Sequence, residues 1–183
     1  MIKLENIEYG SMNYKRTLDL RNKVMRIPLG LNIYDEDFSF EKNAIIVGAY
    51  EGEELIGVGT MSYSDNTFKL EYLCVDFDIQ SQGAGGKMLE WLEKKALEKN
   101  AKKIILDARV SAQKFYENHG YKTVGDVFML SYAPVPHILM EKKYKNCSTN
   151  FSLTERLKVN RRFEFAILKN TGNCPATVFS GNP

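Results

Sequence analysis

The sequence predicts an α+β fold in which helices flank one mixed sheet. Two observations predict it. Neighbouring segments rich in β-branched and aromatic residues are joined by turn signals, as in antiparallel strands. They are followed by a strand–helix–strand–helix unit. With 183 residues, of which 44% are hydrophobic, the chain has the length and the apolar content of one domain with its own core.

Each predicted element is bounded by its own signals. Pro28 stops the first helix, the turn Glu51–Glu54 joins two strands, and Gly120 ends the last helix. The predicted helices are Ser11–Met25, Lys87–Glu98 and Ser111–Asn118. The predicted strands are Ile2–Ile7, Ala44–Tyr50, Leu55–Ser64, Thr67–Val75, Ile104–Leu106, Val124–Tyr132 and Ile138–Tyr144.

A change in charge divides the chain after Tyr144. Residues 145–183 contain six Lys or Arg and two Glu, whereas residues 1–144 are nearly balanced. We therefore expect one domain over residues 1–144 and a basic C-terminal extension over residues 145–183, to which the sequence assigns no function.

The composition argues against several classes of protein. A net charge of +2 gives no electrostatic case for nucleic acid or for an anionic membrane, and no apolar run is long enough to span a bilayer. Three distant cysteines and two histidines predict neither a metal site nor a disulfide framework. Together with a beginning that lacks a signal-peptide pattern, they favour a cytoplasmic protein.

A glycine-rich loop between a strand and a helix is the strongest local signal. Gly83, Gly85 and Gly86 allow backbone N–H groups to approach an anion, to which the helix N-terminus adds partial positive charge. Lys87 is followed by Met88, so the loop lacks the Ser or Thr of a nucleotide-hydrolase loop, and Met88 also replaces the third glycine of a dinucleotide fingerprint. The loop therefore predicts a different phosphate ligand.

Four blocks give the loop a family context. The spacing Gln80-x-x-Gly83-x-Gly85 resembles the pyrophosphate loop of the GNAT superfamily of acyl-CoA N-acyltransferases. Within it, the chain resembles the branch containing glyphosate N-acetyltransferase, through Ala-Arg-x-Ser-Ala (108–112), Gly-Asp-Val-Phe (125–128) and Pro-His-Ile-Leu-Met (136–140). The resemblance covers residues 1–144. It implies a GNAT-like, mostly antiparallel sheet and acetyl-CoA as cosubstrate without a metal, and it allows a homodimer.

The resemblance also implies which residues hold the cosubstrate. Backbone amides from Gln82 through Lys87 would bind the pyrophosphate, and Leu73–Val75 would pair with the pantetheine amides where this strand parts from Ile104–Leu106. Ser111 either caps the following helix or contacts pantetheine. The implied cosubstrate residues are Leu73, Cys74, Val75, Gln80, Ser81, Gln82, Gly83, Ala84, Gly85, Gly86, Lys87, Ser111 and Tyr116.

Three residues are candidates for proton transfer. His137 matches the family histidine to which the base role is attributed, and an imidazole ordinarily titrates close to neutral pH. Glu71 is the alternative base, since GNAT enzymes often use a glutamate on this strand, and strand alternation predicts that it shares a face with Leu73. Tyr116 matches the family tyrosine that protonates the departing thiolate. His137 and Tyr116 could instead have structural roles, and Glu71 could instead bind a cationic substrate.

The predicted acceptor-binding residues are Arg26, Glu71, Arg109 and His137. Arg26 and Arg109 match two arginines that bind the anionic acceptor in the glyphosate-acetylating branch, although either could equally be a structural ion-pair member. Glu71 stands where a third arginine is expected, which reverses the local charge. The sequence therefore favours a cationic or zwitterionic amine.

Three functions remain open on the sequence alone. The first is acetyl-CoA-dependent N-acetylation of a small-molecule amine, by direct attack in a ternary complex. The second is acetylation of a protein or peptide amine, for which the acidic segment Asp35–Asp37 could select a Lys-containing acceptor. The third is a non-catalytic acyl-CoA-binding sensor or scaffold.

Overall fold

A seven-stranded sheet forms the centre of the protein. The structure is a computed structural model and describes residues 1–79, 83–130 and 133–144. The strand order is β1-β2-β3-β4-β5-β7-β6, and every neighbouring pair is antiparallel except β4 and β5. The strands are β1 Ile2–Asn6, β2 Ile45–Glu51, β3 Glu54–Ser64, β4 Thr67–Val75, β5 Lys103–Arg109, β6 Lys122–Leu130 and β7 Ala133–Lys143. This confirms the predicted fold class.

Helices pack on both faces of the sheet. Helices α2 (Ala84–Glu98) and α3 (Gln113–Asn118) contribute to the larger core on one face. Helix α1 (Met12–Arg21) contributes to a second core on the other face, together with side chains such as Val58 and Cys74. We call these the α2 face and the α1 face of the sheet.

The first helix ends earlier than predicted. Ser11 caps α1 by accepting from the Tyr14 amide at 3.1 Å, but the α-helix stops at Arg21 and continues as a π-helical turn, Asn22–Arg26. A 3₁₀ turn containing Pro28 follows, because proline has no amide hydrogen to continue the ladder. The wider turn, a feature that recurs at functional sites, contributes Met25 and Arg26 to the cavity described below.

Helix α2 begins three residues earlier than predicted. Gly83 adopts φ = 81°, a left-handed conformation that suits glycine, and the helix starts at Ala84. Gly85 and Gly86 therefore lie in the first helical turn rather than in a loop. Because glycine has a low helix propensity, the sequence predicted a later start. Both glycines are nevertheless accommodated in the first turn, where N–H groups need no helical acceptor.

The prolines of β7 explain why its start was predicted too late. Pro134 and Pro136 lie before His137, which is the first β7 residue paired with β5. At the prolines β7 pairs only with β6, so its other edge needs no amide donors there. Strand β4 has its predicted bounds, and β5 extends beyond the predicted Ile104–Leu106.

A β-bulge at Glu71 interrupts β4. Leu70 pairs with Met61 and Tyr72 pairs with Thr60, which leaves Glu71 as the extra residue. Pairing between β4 and β5 also ends here, because it covers only Thr67–Leu70 and Lys103–Leu106. Bulges commonly end pairing and redirect side chains. The two strands therefore form a fork, which opens after the predicted Ile104–Leu106 segment rather than along it.

A buried ion pair supports the fork from the α1 face. The guanidinium of Arg21 donates to both carboxylate oxygens of Glu41, at 2.6 and 3.0 Å, and both side chains are fully buried. The Tyr14 hydroxyl donates to the same carboxylate at 2.6 Å. The rings of Phe38 and Tyr72 lie within 5 Å of the guanidinium. This cluster joins α1, the turn around Glu41 and the bulged segment of β4.

None of the helices in the described ranges is long and apolar enough to cross a membrane. The predicted C-terminal extension, 145–183, lies outside the described residues.

Breaking the buried ion pair should destabilise the domain strongly. We expect Glu41→Gln to lower the free energy of unfolding by about 3–5 kcal/mol, because it leaves the Arg21 charge buried without its counterion. Urea denaturation monitored by fluorescence measures this. As a control, Glu98→Gln removes an exposed partner of Lys95 and should leave the free energy of unfolding nearly unchanged. Equal effects of the two variants would contradict the prediction that the buried Arg21–Glu41 pair contributes strongly to stability.

Candidate functional site

A cavity of about 660 Å³ lies at the fork between β4 and β5. Its walls come from the diverging strands, the first turn of α2, helix α3, the π-helical turn and β7. Of the residues predicted from the sequence, the cavity is lined by Arg26, Glu71, Leu73, Cys74, Val75, Gly83, Ala84, Gly85, Gly86, Arg109, Ser111, Tyr116 and His137.

The glycine-containing turn presents unpaired backbone donors to this cavity. As the first residues of α2, Ala84, Gly85 and Gly86 have N–H groups without helical acceptors, and the helix N-terminus carries partial positive charge. Lys87 departs from the prediction, since its amide donates to the carbonyl of Gly83 at 3.1 Å and the residue does not line the cavity. The arrangement can bind an anion through backbone groups alone.

The far half of β4 forms one side of the fork. Leu73 and Val75 pack toward the α2 face, whereas Cys74 belongs to the core on the α1 face. Burial raises the pKa of the Cys74 thiol to about 12, so this thiol is neutral and unreactive at physiological pH. Because the ladder with β5 ends at Leu70, this strand edge can accept an extended ligand that carries amides.

Tyr116 reaches the cavity from the α2 face. It belongs to the α2-face core and packs edge-on against Phe115 and Tyr121. Burial raises the pKa of the Tyr116 hydroxyl, so it keeps its proton at neutral pH. Among the described residues the hydroxyl has no hydrogen-bond partner, which leaves it available to a ligand.

His137 lies on the opposite face of the sheet. It is 5% exposed, and its register partner on β5 is Arg109. Its Nδ1 lies 2.7 Å from the carbonyl oxygen of Val135. A carbonyl only accepts hydrogen bonds, so Nδ1 carries the hydrogen, and in the neutral ring Nε2 holds a lone pair. The imidazole is thus arranged to accept a proton at Nε2.

The bulge places Glu71 on the α1 face. Its carboxylate accepts from the Ser62 hydroxyl at 2.5 Å and lies 3.6 Å from the Lys69 ammonium, which also pairs with Asp107 at 3.1 Å. Leu73 packs toward the α2 face, so the expectation that Glu71 and Leu73 share a face is wrong. The extra residue shifts the alternation, and Glu71 and Tyr72 consequently project to the same side.

The two arginines of the site differ in their partners. Arg26 is 2% exposed, forms an ion pair with Glu36 and lies against the Tyr72 hydroxyl. Arg109 donates to the carbonyl of Met25 at 3.3 Å and has no carboxylate partner among the described residues. Burial, and then the neighbouring Arg26 charge, lower the pKa of the Arg109 guanidinium. Arg109 is therefore the less compensated cation of the cavity.

The fork joins two chemically different halves of the cavity. The α2 half combines the phosphate-type donors of Ala84–Gly86 with the Tyr116 hydroxyl. The α1 half contains His137, Glu71 and the two arginines. A ligand group that lies in the fork would have a proton donor on its α2 side and a proton acceptor on its α1 side.

Some predicted residues differ from expectation and some contributors were missed. Gln80, Ser81 and Gln82 lie outside the described residues. Ser111 does not cap α3, which has no side-chain cap; it lies in the preceding 3₁₀ turn and lines the cavity. Tyr72 and Met25 were missed, because neither the bulge nor the π-helical turn has a clear sequence signal. Within residues 1–79, 83–130 and 133–144 no cluster of three potential ligands could hold a metal ion.

The π-helical turn is tied to the end of β4. Lys23 forms an ion pair with Asp76, the residue that follows β4, at 2.7 Å. The side chain of Lys23 is about half exposed, and neither residue lines the cavity.

Comparisons with known proteins agree with this geometry. Residues 32–144 match the family model described as the acetyltransferase (GNAT) domain. The uncharacterized N-acetyltransferase YjcF of Bacillus subtilis (strain 168) is 36% identical over 107 residues, which is 58% of this chain and 74% of the relative.

Two solved structures share the fold. Escherichia coli ElaA superimposes with a TM-score of 0.67 at 18% identity, over 78% of this chain and 100% of that chain. An aminoglycoside 6'-N-acetyltransferase complexed with coenzyme A gives a TM-score of 0.61 at 20% identity, over 77% and 96% of the two chains. At these identities the structures establish the fold and not the acceptor. The family model spans more than half of the sequence and ends where β7 ends, and on this ground the chain belongs to the GNAT acetyltransferase family.

Proposed function

We propose that this protein is an acetyl-CoA-dependent N-acetyltransferase that acts on a small-molecule amine by direct attack in a ternary complex. The observation that carries the proposal is the fork at Glu71, which connects an anion-binding helix N-terminus on one face to a proton acceptor on the other. We also propose that the protein belongs to the glyphosate N-acetyltransferase-like branch of the family, on the strength of the Ala-Arg-x-Ser-Ala and Pro-His-Ile-Leu-Met blocks.

The residues of the α2 half fit acetyl-CoA. The amides of Ala84–Gly86 would hold the pyrophosphate, and Gln80, Ser81, Gln82 and Gly83 remain further candidates for binding it. The edge of Leu73–Val75 would pair with the pantetheine amides, and Ser111 would lie beside them. Glycine at 85 and 86 keeps the helix N-terminus free of side chains, and bound acetyl-CoA supplies the activated acetyl group.

The remaining chemistry is proton movement across the fork. The acceptor amine forms a bond to the thioester carbonyl carbon. His137 takes the amine proton at Nε2, while its Nδ1–H keeps its hydrogen bond to the carbonyl of Val135. The carbon–sulfur bond breaks, and Tyr116 donates its hydroxyl proton to the departing thiolate. Exchange with solvent then restores both side chains. Glu71 is the alternative base.

The charges of the α1 half select the acceptor. Arg109, which lacks a carboxylate partner among the described residues, would bind an anionic group, and Arg26 would line the same side. Glu71 is compensated by Lys69 and still supplies a carboxylate for a cationic amine. This combination favours a zwitterionic amine over a doubly anionic one.

A second candidate is acetylation of a peptide amine. The acidic segment Asp35–Asp37 adjoins the cavity through the ion pair of Glu36 with Arg26, and Asp35 and Asp37 are exposed. A basic peptide could therefore bind along this rim. The non-catalytic sensor is distinguished by binding acetyl-CoA without turnover.

An acceptor screen tests the proposal directly. On mixing acetyl-CoA with panels of amino acids, polyamines, amino sugars and Lys-containing peptides, we expect release of free CoA thiol with at least one small amine, and most readily with zwitterions. Thiol release and mass spectrometry of the product measure this. Turnover of peptides alone would support the second candidate, and tight binding without any turnover would support the sensor.

Removing the proposed base should reduce turnover and change its pH dependence. We expect His137→Gln to lower kcat by about 100-fold or more and to remove the acidic limb of the pH–rate profile. Glu71→Gln serves as the comparison and should chiefly raise KM for cationic acceptors. If Glu71→Gln removes the acidic limb and His137→Gln leaves it in place, Glu71 is the base.

Removing the proposed acid should slow the chemical step without weakening cosubstrate binding. We expect Tyr116→Phe to lower kcat by about 10- to 100-fold while the Kd for CoA stays within about twofold. Tyr121→Phe is the matched control, because Tyr121 is a buried neighbour that does not line the cavity. An unchanged kcat in Tyr116→Phe would exclude the acid role.

A further inference from the structure

The end of α3 packs against the first turn of α2 through His119. A Cβ atom added to Gly86 would lie 3.2 Å from Nε2 of His119, which is closer than most real Cβ contacts. The His119 ring lies 4.5 Å from the ring of Phe115, and Phe115 in turn approaches Gly85. His119 does not itself line the cavity, but the two glycines allow its imidazole to lie against the first turn of α2, whose amides are proposed to bind the pyrophosphate. The catalytic scheme above does not use this residue.

The hydrogen bonding of this ring fixes which atom can change its protonation. Nδ1 of His119 lies 2.8 Å from the carbonyl oxygen of Phe115. A carbonyl only accepts, so Nδ1 carries hydrogen in both the neutral and the charged ring. Protonation therefore adds a hydrogen at Nε2, the atom that faces Gly86. The charged ring would have an N–H donor at the helix N-terminus.

The electric field at the His119 ring depends on whether an anion is bound at the N-terminus of α2. The helix N-terminus is partially positive and opposes a second positive charge on the ring. A diphosphate reverses that field and accepts a charge-assisted hydrogen bond from Nε2. No carboxylate lies within ion-pair distance of His119 in the described ranges, so an anionic partner would come from the ligand.

The ionisable residues around His119 do not supply the anionic partner that the ligand would provide. On α3, Glu117 accepts from Gln113 and pairs with Lys114 at 3.6 Å. The β7 residue Lys142 approaches Gly120 and pairs with Glu93 of α2 at 2.7 Å. On α2 the ionisable residues closest in sequence to Gly86 are Lys87 and Glu90, both exposed. The nearby acids therefore already have cationic partners or point to solvent.

We propose that His119 is a proton-linked binding group for the diphosphate of acetyl-CoA, and that its ring takes up one proton at Nε2 from solvent when the cosubstrate binds. The inference rests on the proposed function, because it presumes that CoA binds at Ala84–Gly86. It predicts that CoA affinity rises as the pH falls.

Calorimetry can measure the proton directly. Dephospho-CoA is the probe, because it keeps the diphosphate and lacks the phosphomonoester, which would itself titrate near pH 6. Titrations at pH 7 in two buffers of different ionisation enthalpy give the number of protons taken up per ligand. We expect net proton uptake on binding to the unaltered protein and no uptake for His119→Gln.

The variants should also differ in their pH dependence. At pH 6 we expect His119→Gln to bind dephospho-CoA about fivefold more weakly than the unaltered protein, because a charge-assisted hydrogen bond is lost, and at pH 8.5 we expect equal affinities. Gly86→Ala, which displaces the ring, should reduce both the uptake and the affinity at pH 6.

The possible outcomes separate this inference from the proposed function. Equal proton uptake in His119→Gln and in the unaltered protein, or parallel pH dependences of affinity, would overturn the role of His119 while CoA binding itself stands. Failure of the unaltered protein to bind dephospho-CoA or CoA would overturn both proposals.

Discussion

The extra residue in β4 is the constraint on which the site depends. Because Glu71 is the extra residue of the bulge and has no register partner on β3, the side chains beyond it change faces. The parallel ladder with β5 stops at the same point. One backbone irregularity thus opens the sheet and places Glu71 and Tyr72 together on the α1 face. Without it, β4 would continue to pair with β5, and the two halves of the cavity would be separated by a closed sheet.

The electrostatics of the cavity follow from this division. The α2 half uses backbone dipoles and a neutral hydroxyl, which suit an anionic ligand that enters from solvent. The α1 half uses compensated charges, since Arg26 pairs with Glu36 and Glu71 with Lys69, so most of its charge is fixed in place before any acceptor binds. Arg109 differs because its partner is a carbonyl and not a carboxylate, so its partly buried charge is less fully compensated.

Most of the architecture could be predicted from the sequence, and the departures have specific physical causes. Strand β4 and the order of the elements follow from side-chain patterns and turn residues. The start of α2 was predicted too late because Gly85 and Gly86 are poor helix formers, whereas they form the first turn, in which the N–H groups need no helical acceptor. The bulge and the π-helical turn depend on packing between segments distant in sequence. For that reason Tyr72 and Met25 were missed, and Glu71 was assigned to the wrong face.

Two adjacent residues of β4 should differ in how freely they change during evolution. Tyr72 stacks on the guanidinium of Arg21, so a substitution there would disturb a buried charge and reduce the stability of the whole domain. Glu71 touches only Ser62 and the partly exposed Lys69 among the contacts described above, so it can be replaced at small cost. On the proposed function, a change of charge at position 71 would alter the acceptor preference, while the aromatic ring at position 72 would preserve the stability of the domain.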